Sequence, residues 1–192
     1  MCNEYRSRID VDSIREEFSH LKIRIEFPEA TPNLEPRDSI RITDAAPIVK
    51  AGGEGVAHLV QRRWSWPAPN KKPVFNFRSD GREFTNGRCL IVSDGFYEFT
   101  ANSTGKQKAK WLFTLRDAPW FCIAGLWRNV DGVGEAFTML TTAPGPDIAP
   151  YHDRQVVVLK SQDWAAWLDP ATSAKRLLKP LPEGSLNVER VA

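Results

Sequence analysis

The chain has 192 residues, of which 42% are hydrophobic and 26% are charged, and its formal net charge is +2. These values fit one globular domain with a sizeable core and exclude a fibrous or low-complexity chain. Its polar start lacks the apolar segment of a signal peptide, and the longest apolar stretch, Phe121 to Trp127, is too short to span a membrane. Three scattered cysteines, Cys2, Cys89 and Cys122, exclude a disulfide framework and a zinc site. We therefore expect a cytoplasmic monomer without a metal or an organic cofactor.

The predicted helices are short and few. A capping box at Ser13-Ile-Arg-Glu16 begins the first, and apolar residues at helical spacing continue it to Leu21. A second is predicted over Asp163–Leu168 with Ser161 as its N-cap, and a third over Ser173–Leu178.

Most of the remaining chain is predicted to form strands, separated by turn signals that include Asp94-Gly, Asn102-Ser-Thr-Gly and Pro144-Gly-Pro. The predicted strands are Ala46–Lys50, Val56–Trp64, Arg88–Val92, Gly95–Thr100, Lys110–Leu115, Trp120–Trp127, Ala136–Thr141 and Gln155–Leu159. This pattern indicates an α+β fold: one domain over residues 1–180, with a mostly antiparallel, strongly bent sheet or barrel-like core and peripheral helices. Residues 181–192 are expected to be a loosely attached tail.

The cysteine at position 2 is a candidate nucleophile. If Met1 is removed, Cys2 carries an α-amine beside its thiol, with ordinary pKa values of about 8 and about 8.5. Such an aminothiol condenses with an aldehyde: the amine forms an imine, and the thiol closes a thiazolidine ring. Taken by position alone, Cys2 also fits an unremarkable residue in a frayed terminus.

The segment from Gln61 to Arg88 is basic and aromatic. It holds seven basic residues and two acidic ones, a net charge of +5. Cations meet phosphates and aromatic rings stack on bases, so the segment fits single-stranded nucleic acid; a solvated loop with buried aromatics fits equally well. Within it, Arg63-Trp64-Ser-Trp66-Pro is a candidate aromatic wall beside a pocket.

Polar residues further along the chain complete a candidate site. Asn76 and Arg78 offer an amide for a reacting centre and a guanidinium fork for a phosphate, although a turn also favours such residues. Glu98 follows Asp94-Gly-Phe-Tyr on a strand that is apolar on both faces, which predicts an acid/base with a raised pKa unless Glu98 lies at an exposed rim. His152 and Arg154 lie in a loop before a valine-rich strand, where a histidine suits proton transfer.

These segments together resemble the SOS-response-associated peptidase family. The resemblance runs from Cys2 to about Leu168, and its most specific parts are Met-Cys at the start, Asp94-Gly-Phe-Tyr-Glu98-Phe, and His152-Asp-Arg154 before a strand and a Trp-Leu helix. It identifies residues 1–180 as the family's domain. It implies a DNA-damage role, in which the protein links covalently to abasic sites in single-stranded DNA and shields them.

The resemblance also implies individual roles. Cys2 is the nucleophile once Met1 has been removed, by self-processing or by an aminopeptidase. Asn76 orients the opened sugar, Glu98 moves protons at the amine and imine, and His152 assists ring opening. The DNA-binding residues it implies are Arg63, Trp64, Trp66, Arg78 and Arg154, with the two arginines Arg78 and Arg154 on flanking phosphates.

The chain departs from the family pattern at several places. Asn3 and Glu4 follow Cys2 where many members have glycine and arginine, and Gln155-Val156 replaces a common Met-Pro. The segment between Asn76 and Glu98 is short. These departures concern DNA affinity more than the chemistry. Two other functions stay open: a cysteine peptidase that acts on proteins, and a non-catalytic module that binds single-stranded DNA.

Overall fold

The computed structural model describes residues 1–101 and 108–192, so the turn predicted at Asn102-Ser-Thr-Gly lies outside the described residues. Its helices are α1 (Val11–His20) and α2 (Ser161–Leu168), with a 3₁₀ turn at Ala174–Arg176. Its strands are β1 (Glu4–Ser7), β2 (Arg24–Glu26), β3 (Arg37–Arg41), β4 (Ala45–Gly53), β5 (Val56–Trp64), β6 (Trp66–Pro67), β7 (Pro73–Val74), β8 (Asn76–Arg78), β9 (Arg88–Ser93), β10 (Gly95–Ala101), β11 (Lys108–Leu115), β12 (Phe121–Val130), β13 (Gly134–Thr142), β14 (Gln155–Val156), β15 (Val158–Leu159) and β16 (Leu186–Arg190).

Five strands close into a barrel. β5 pairs with β4, β4 with β9, β9 with β12 and β12 with β13, each antiparallel. A parallel pairing of β13 with β5, through Ala136 to Arg63 and Phe137 to Trp64, completes the ring. Closure removes the free edges of these strands. The expected α+β fold with a mostly antiparallel, barrel-like core is thus confirmed.

A second sheet, in the order β16-β11-β10-β1-β3, packs against the barrel. Side chains alternate along each barrel strand, because successive residues of a strand point to opposite faces. Ile91 therefore joins Tyr5 and Phe96 of the second sheet in one buried cluster, whereas its neighbours Leu90 and Val92 join a cluster on the other face.

The helices cover that other face of the barrel. Phe18 of α1 stacks on Trp164 of α2, with ring centroids 5.1 Å apart, and both belong to the second cluster. The predicted helix starts need correction. Asp10 caps α1 by accepting from the Ser13 N–H, so the capping box at Ser13 is wrong; Ser161 is the first residue of α2, with Lys160 before it and no side-chain cap. Neither helix of the described chain is long and apolar enough to cross a membrane.

The chain end differs from the sequence expectation. Within residues 181–192, where a loose tail is expected, Leu186–Arg190 forms β16 and pairs antiparallel with β11. The Asp147 carboxylate also accepts from the backbone N–H groups of Gly184 and Leu186, which fixes the approach to this strand. Only Leu186 and Val188 are apolar in this five-residue edge strand, so its alternation is too short to distinguish it from a tail.

Candidate active site

The N-terminus is brought to Glu98 by strand pairing. β1 and β10 run antiparallel, with Tyr5 opposite Phe96 and Arg6 opposite Gly95, so the residues before β1 continue alongside the later part of β10. Cys2 is buried there, and its thiol donates a hydrogen bond to the Glu4 carbonyl over 3.3 Å. The second residue of the chain is therefore a fixed part of the core and not a frayed terminus.

Glu98 and His152 both face the N-terminal amine. The amine of Met1 contacts Nε2 of His152 and lies 3.6 Å from Oε2 of Glu98. The Glu98 carboxylate is only 1% exposed, and its Oε1 has no hydrogen-bond partner among the described residues. A carboxylate, an imidazole and an amine at one point form an acid/base centre.

Asn76 connects this centre to the barrel. β8 pairs in parallel with β13, with Asn76 opposite Met139, and this pairing holds the asparagine beside Cys2. Its Nδ2 donates to the Cys2 carbonyl over 2.8 Å. Its Oδ1 is buried without a partner in the described chain, so it is available as an acceptor for a bound group. The structure thus brings together all four residues that the sequence predicts as catalytic: Cys2, Asn76, Glu98 and His152.

A stiff loop presents His152. The His152 N–H donates to the Ile148 carbonyl over 3.0 Å, and the neighbouring Tyr151 ring packs edge-on against Trp111. Gln155, which replaces the family's usual methionine, accepts from the Gly145 N–H over 2.5 Å and so closes the loop. This departure from the family pattern therefore stabilises the loop that carries the histidine.

The His152 ring has partners for both neutral tautomers. Nδ1 lies 2.9 Å from Asp153 Oδ1 and 3.0 Å from the Arg154 N–H. With its proton on Nδ1, the ring donates to Asp153, and Nε2 accepts from the Met1 ammonium. With its proton on Nε2, the ring donates to an uncharged amine, while Nδ1 accepts from Arg154. His152 is therefore placed to exchange a proton with the N-terminal amine.

Burial shifts the pKa values of this centre toward neutral forms. It raises the pKa of Glu98 to about 7, although the Met1 amine and the Cys2 backbone act to lower it. It lowers the pKa of His152, and the positive N-terminus lowers it further. The pKa of the Cys2 thiol is raised well above its ordinary value, first by burial and then by the Glu98 charge. Glu98 thus exchanges protons near neutral pH, as expected from its strand, while the Cys2 thiol stays protonated.

The two arginines predicted to hold phosphates differ in their surroundings. Arg78 is exposed on β8. Arg154 forms a two-point ion pair with Asp80, at 3.1 Å and 2.6 Å, and also donates to the Thr141 carbonyl over 2.9 Å. A phosphate that binds Arg154 must therefore replace Asp80, a carboxylate that is itself half exposed.

The predicted aromatic wall needs correction. Trp64 is fully buried, donates from Nε1 to the Phe75 carbonyl over 2.9 Å, and packs edge-on against Tyr5, so it is a core residue and cannot stack on DNA. Trp66 is nearly buried too, with the Arg128 guanidinium 4.4 Å above its ring. Arg63 is exposed beside them. The period-2 pattern of β5 could have indicated that Trp64 shares the inward face with Val60.

Glu4 is a buried residue near the site that sequence reasoning missed. Its carboxylate accepts from Lys110 over 2.8 Å and from Ser39 over 2.7 Å. Burial alone would raise the pKa of Glu4, but these hydrogen bonds outweigh burial and lower it. Glu4 therefore ties β1 to the adjacent β3 and, across β10, to β11. Arg6, also on β1, forms an ion pair with Asp94 over 2.9 Å.

Cys2 lies beside Asn76, Glu98 and His152, and the chain as a whole matches a known family. The SOS response associated peptidase (SRAP) family pattern covers residues 1–192. This chain belongs to the SRAP family. Two relatives from Bacillus subtilis (strain 168) are abasic site processing protein YoaM, 30% identical over 58% of this chain and 48% of YoaM, and abasic site processing protein YobE, 24% identical over 94% of this chain and 88% of YobE. The chain spans about half the length of YoaM.

Solved structures agree on the SRAP fold. A protein from Bacteroides thetaiotaomicron superposes with a TM-score of 0.76 at 16% identity, covering 100% of this chain and 92% of that one. A phage-related protein from Bordetella bronchiseptica superposes with a TM-score of 0.71 at 21% identity, covering 99% and 94%. At these identities the likeness establishes the fold alone.

Proposed function

We propose that this protein processes abasic sites in single-stranded DNA and captures them covalently through Cys2 after Met1 has been removed. The observation that carries the proposal is the meeting of the chain start with Glu98, His152 and Asn76. Cys2 and the Glu98 carboxylate are both buried there, and a buried carboxylate without a full set of partners is costly unless it serves a function. The names of the relatives YoaM and YobE, both abasic site processing proteins, support the same substrate.

An abasic deoxyribose in its open form is an aldehyde, and an aminothiol captures it in two steps. The Cys2 α-amine attacks the aldehyde carbon, and loss of one water gives an imine. The Cys2 sulfur then adds to the imine carbon while its proton moves to the nitrogen, which closes the thiazolidine. The product is aldehyde plus aminothiol minus one water, and no oxidant or reductant is needed.

The surrounding residues fit the proton transfers in this scheme. Glu98, with a pKa of about 7, accepts a proton from the amine and delivers it to the departing water. The lowered pKa of His152 keeps its imidazole neutral, so Nε2 is free to accept a hydrogen bond from the amine. The unpartnered Oδ1 of Asn76 accepts a hydrogen bond from a sugar hydroxyl. Because burial raises the pKa of the Cys2 thiol, the thiol carries the proton that moves to the imine nitrogen when its sulfur adds to the imine carbon.

The same residues suit the removal of Met1. The Met1 amine already contacts His152 and Glu98, so the unprocessed residue occupies the place of the substrate. Self-processing and an external aminopeptidase both lead to the reactive form. Protein made in cells therefore has to be checked for its N-terminus before activity is measured.

Intact mass after mixing with a single-stranded oligonucleotide that carries one abasic site tests the proposal. The expected mass is the chain without Met1, plus the oligonucleotide, minus one water. Cys2→Ala should lose the stable adduct yet still bind unmodified single-stranded DNA. A processed wild-type protein without an adduct, or a stable adduct in Cys2→Ala, would overturn the proposal.

Two alternatives predict other results. A cysteine peptidase acting on proteins would turn over peptide substrates steadily, but the buried, protonated Cys2 thiol is a poor nucleophile for that reaction. A non-catalytic module would retain abasic and intact strands equally under denaturing conditions, and its binding would be salt-sensitive. The arrangement around Met1 favours covalent capture over both.

A further inference from the structure

We propose that a pocket at the barrel rim, next to the reacting centre, binds one backbone phosphate of the single-stranded DNA that flanks the abasic site. The pocket has a volume of about 480 Å³ and is lined by Arg63, Ser65, Trp66 and Lys71, with Thr43 and the turn at Gly132 closing its sides. The inference rests on the proposed function, since it names a contact of the same DNA strand.

The cations of this pocket have no carboxylate partner in the described chain. Arg62 and Arg63 are adjacent on β5 and point to opposite faces, and Arg62 is held by Glu29 and Glu135. Neither Arg63 nor Lys71 has an ion pair within residues 1–101 and 108–192, and both are exposed. Unpaired cations around one cavity attract an anion.

The backbone of the pocket is unusual. Thr43 and Ser65 both have φ of 83°, and Lys71 has φ of 62°. These are three of the four non-glycine residues with positive φ in the described chain, and all three line this one pocket. Backbone conformations that L-residues rarely adopt are strained, and the surrounding fold has to maintain them. Such residues cluster at binding and active sites.

Ser65 provides a hydrogen-bond donor. It is 1% exposed, its N–H donates to the Phe137 carbonyl over 2.7 Å, and its Oγ has no partner among the described residues. A buried hydroxyl without a partner is costly unless a ligand satisfies it. With Arg63 and Lys71, its hydroxyl makes a site for a phosphate oxygen.

The pocket lies close enough to Asn76 for one DNA strand to contact both. β6, which contains Trp66, pairs with β7 at Pro73–Val74, and the chain continues through Phe75 to Asn76. Three residues of extended chain span roughly 10 Å, so Pro73 at the pocket lies close to the asparagine that contacts Cys2. DNA held at Asn76 therefore passes near the pocket. Asp131, the exposed residue directly before Gly132, adds one negative charge to the closing turn.

A phosphate scan tests the assignment. A set of oligonucleotides carries one abasic site and one neutral methylphosphonate at successive positions, and the oligonucleotide concentration for half-maximal adduct formation is measured. For the wild-type protein, we expect one position where neutralisation raises that concentration severalfold. In the double variant Arg63→Gln/Lys71→Gln, sensitivity at that position should disappear while the other positions keep theirs.

Matched variants give the control. Lys179→Gln removes the same kind of charge from an exposed residue after the 3₁₀ turn, and it should leave the scan unchanged. Ser65→Gly removes the hydroxyl but suits the positive φ, so it should raise Tm and still reduce the sensitivity at the same position. Asp131→Asn should lower the half-maximal concentration.

Some results would overturn the pocket assignment. They are a double variant that retains the sensitivity at every position, or one that loses it equally at all positions, as a general charge effect would. If wild-type protein forms no adduct, the proposed function fails. In that case, the same methylphosphonate scan on strands without an abasic site, read as binding affinity by fluorescence anisotropy, still tests the pocket.

Discussion

The Asn76 side chain donates a hydrogen bond to the Cys2 carbonyl over 2.8 Å, and this bond joins the chain start to a strand that belongs to the barrel sheet. Cys2 itself precedes β1, which belongs to the other sheet. Cys2 is therefore held from both sheets, and its position depends on how the two sheets pack together.

We predict that Asn76→Ala slows adduct formation more than it weakens DNA binding. Loss of one hydrogen bond of about 1 kcal/mol in the transition state slows the reaction roughly fivefold. Single-turnover rates at saturating abasic DNA, compared with the Kd for an unmodified strand, separate the two effects. A variant that loses affinity and keeps its rate would show that Asn76 binds DNA without orienting Cys2.

We predict that Glu98 makes the protein less stable as pH rises. Burial raises its pKa from 4.5 to about 7, so between these values the folded state holds a proton that the unfolded state has released. The contribution of Glu98 to stability is therefore greatest below about pH 4.5 and declines through about pH 7, by up to about 3 kcal/mol. Glu98→Gln should remove this slope, and urea unfolding at several pH values measures it.

The control for this prediction is a carboxyl with the opposite shift. Hydrogen bonds lower the pKa of Glu4 despite its burial, so its contribution to stability is present above its unfolded pKa and is lost as pH falls through the lower folded value. The difference curve for Glu4→Gln should therefore have the opposite sign to that for Glu98→Gln. Parallel curves for wild type and Glu98→Gln would contradict the assigned pKa of Glu98.

Sequence reasoning found the parts of the structure whose pattern is local. The sequence predicts Val56–Trp64 with its observed bounds, because residues that favour strands, such as Val56 and Val60, are a local signal. The sequence does not predict β1 or β16. Both are short and contain charged residues, and each is stabilised as a strand by its hydrogen bonds to a neighbouring strand. The same limit applies to side chains. The burial of Glu98 is predicted from the apolar residues of its own strand. The ion pair of Asp80 with Arg154 is not predicted, because it joins residues 74 positions apart.

We predict that Glu4 and Lys110 act as a clamp on the chain start. A double-mutant cycle with Glu4→Gln and Lys110→Met, read as free energy of unfolding, should give a coupling of about 1–2 kcal/mol, because the carboxylate is buried. The exposed pair Arg24–Glu26 is the matched control and should couple by less than about 0.5 kcal/mol. Glu4→Gln should also slow adduct formation. An unchanged rate would limit the clamp to stability.

We predict that Trp64 stabilises the barrel and does not contact DNA. Trp64→Ala should cost about 3–5 kcal/mol of unfolding free energy, since it empties a fully buried site. The milder Trp64→Phe keeps most of the packing and loses the hydrogen bond to the Phe75 carbonyl. Trp64→Phe should bind single-stranded DNA with the same salt dependence as the wild type. A reduced affinity in a fully folded Trp64→Phe variant would restore the aromatic-wall hypothesis.

We predict that Asp80 competes with DNA for Arg154 and that its removal strengthens binding. The Asp80 carboxylate occupies both terminal nitrogens of the guanidinium, as a phosphate would, and is half exposed, so it can leave. Asp80→Asn should raise the affinity for single-stranded DNA severalfold and steepen the slope of log K against log salt by about 0.7, the value for one additional phosphate contact. Asp12→Asn, the same change on exposed α1, controls for net charge. If Asp80→Asn weakens binding instead, Asp80 orients Arg154 for the phosphate and does not compete with it.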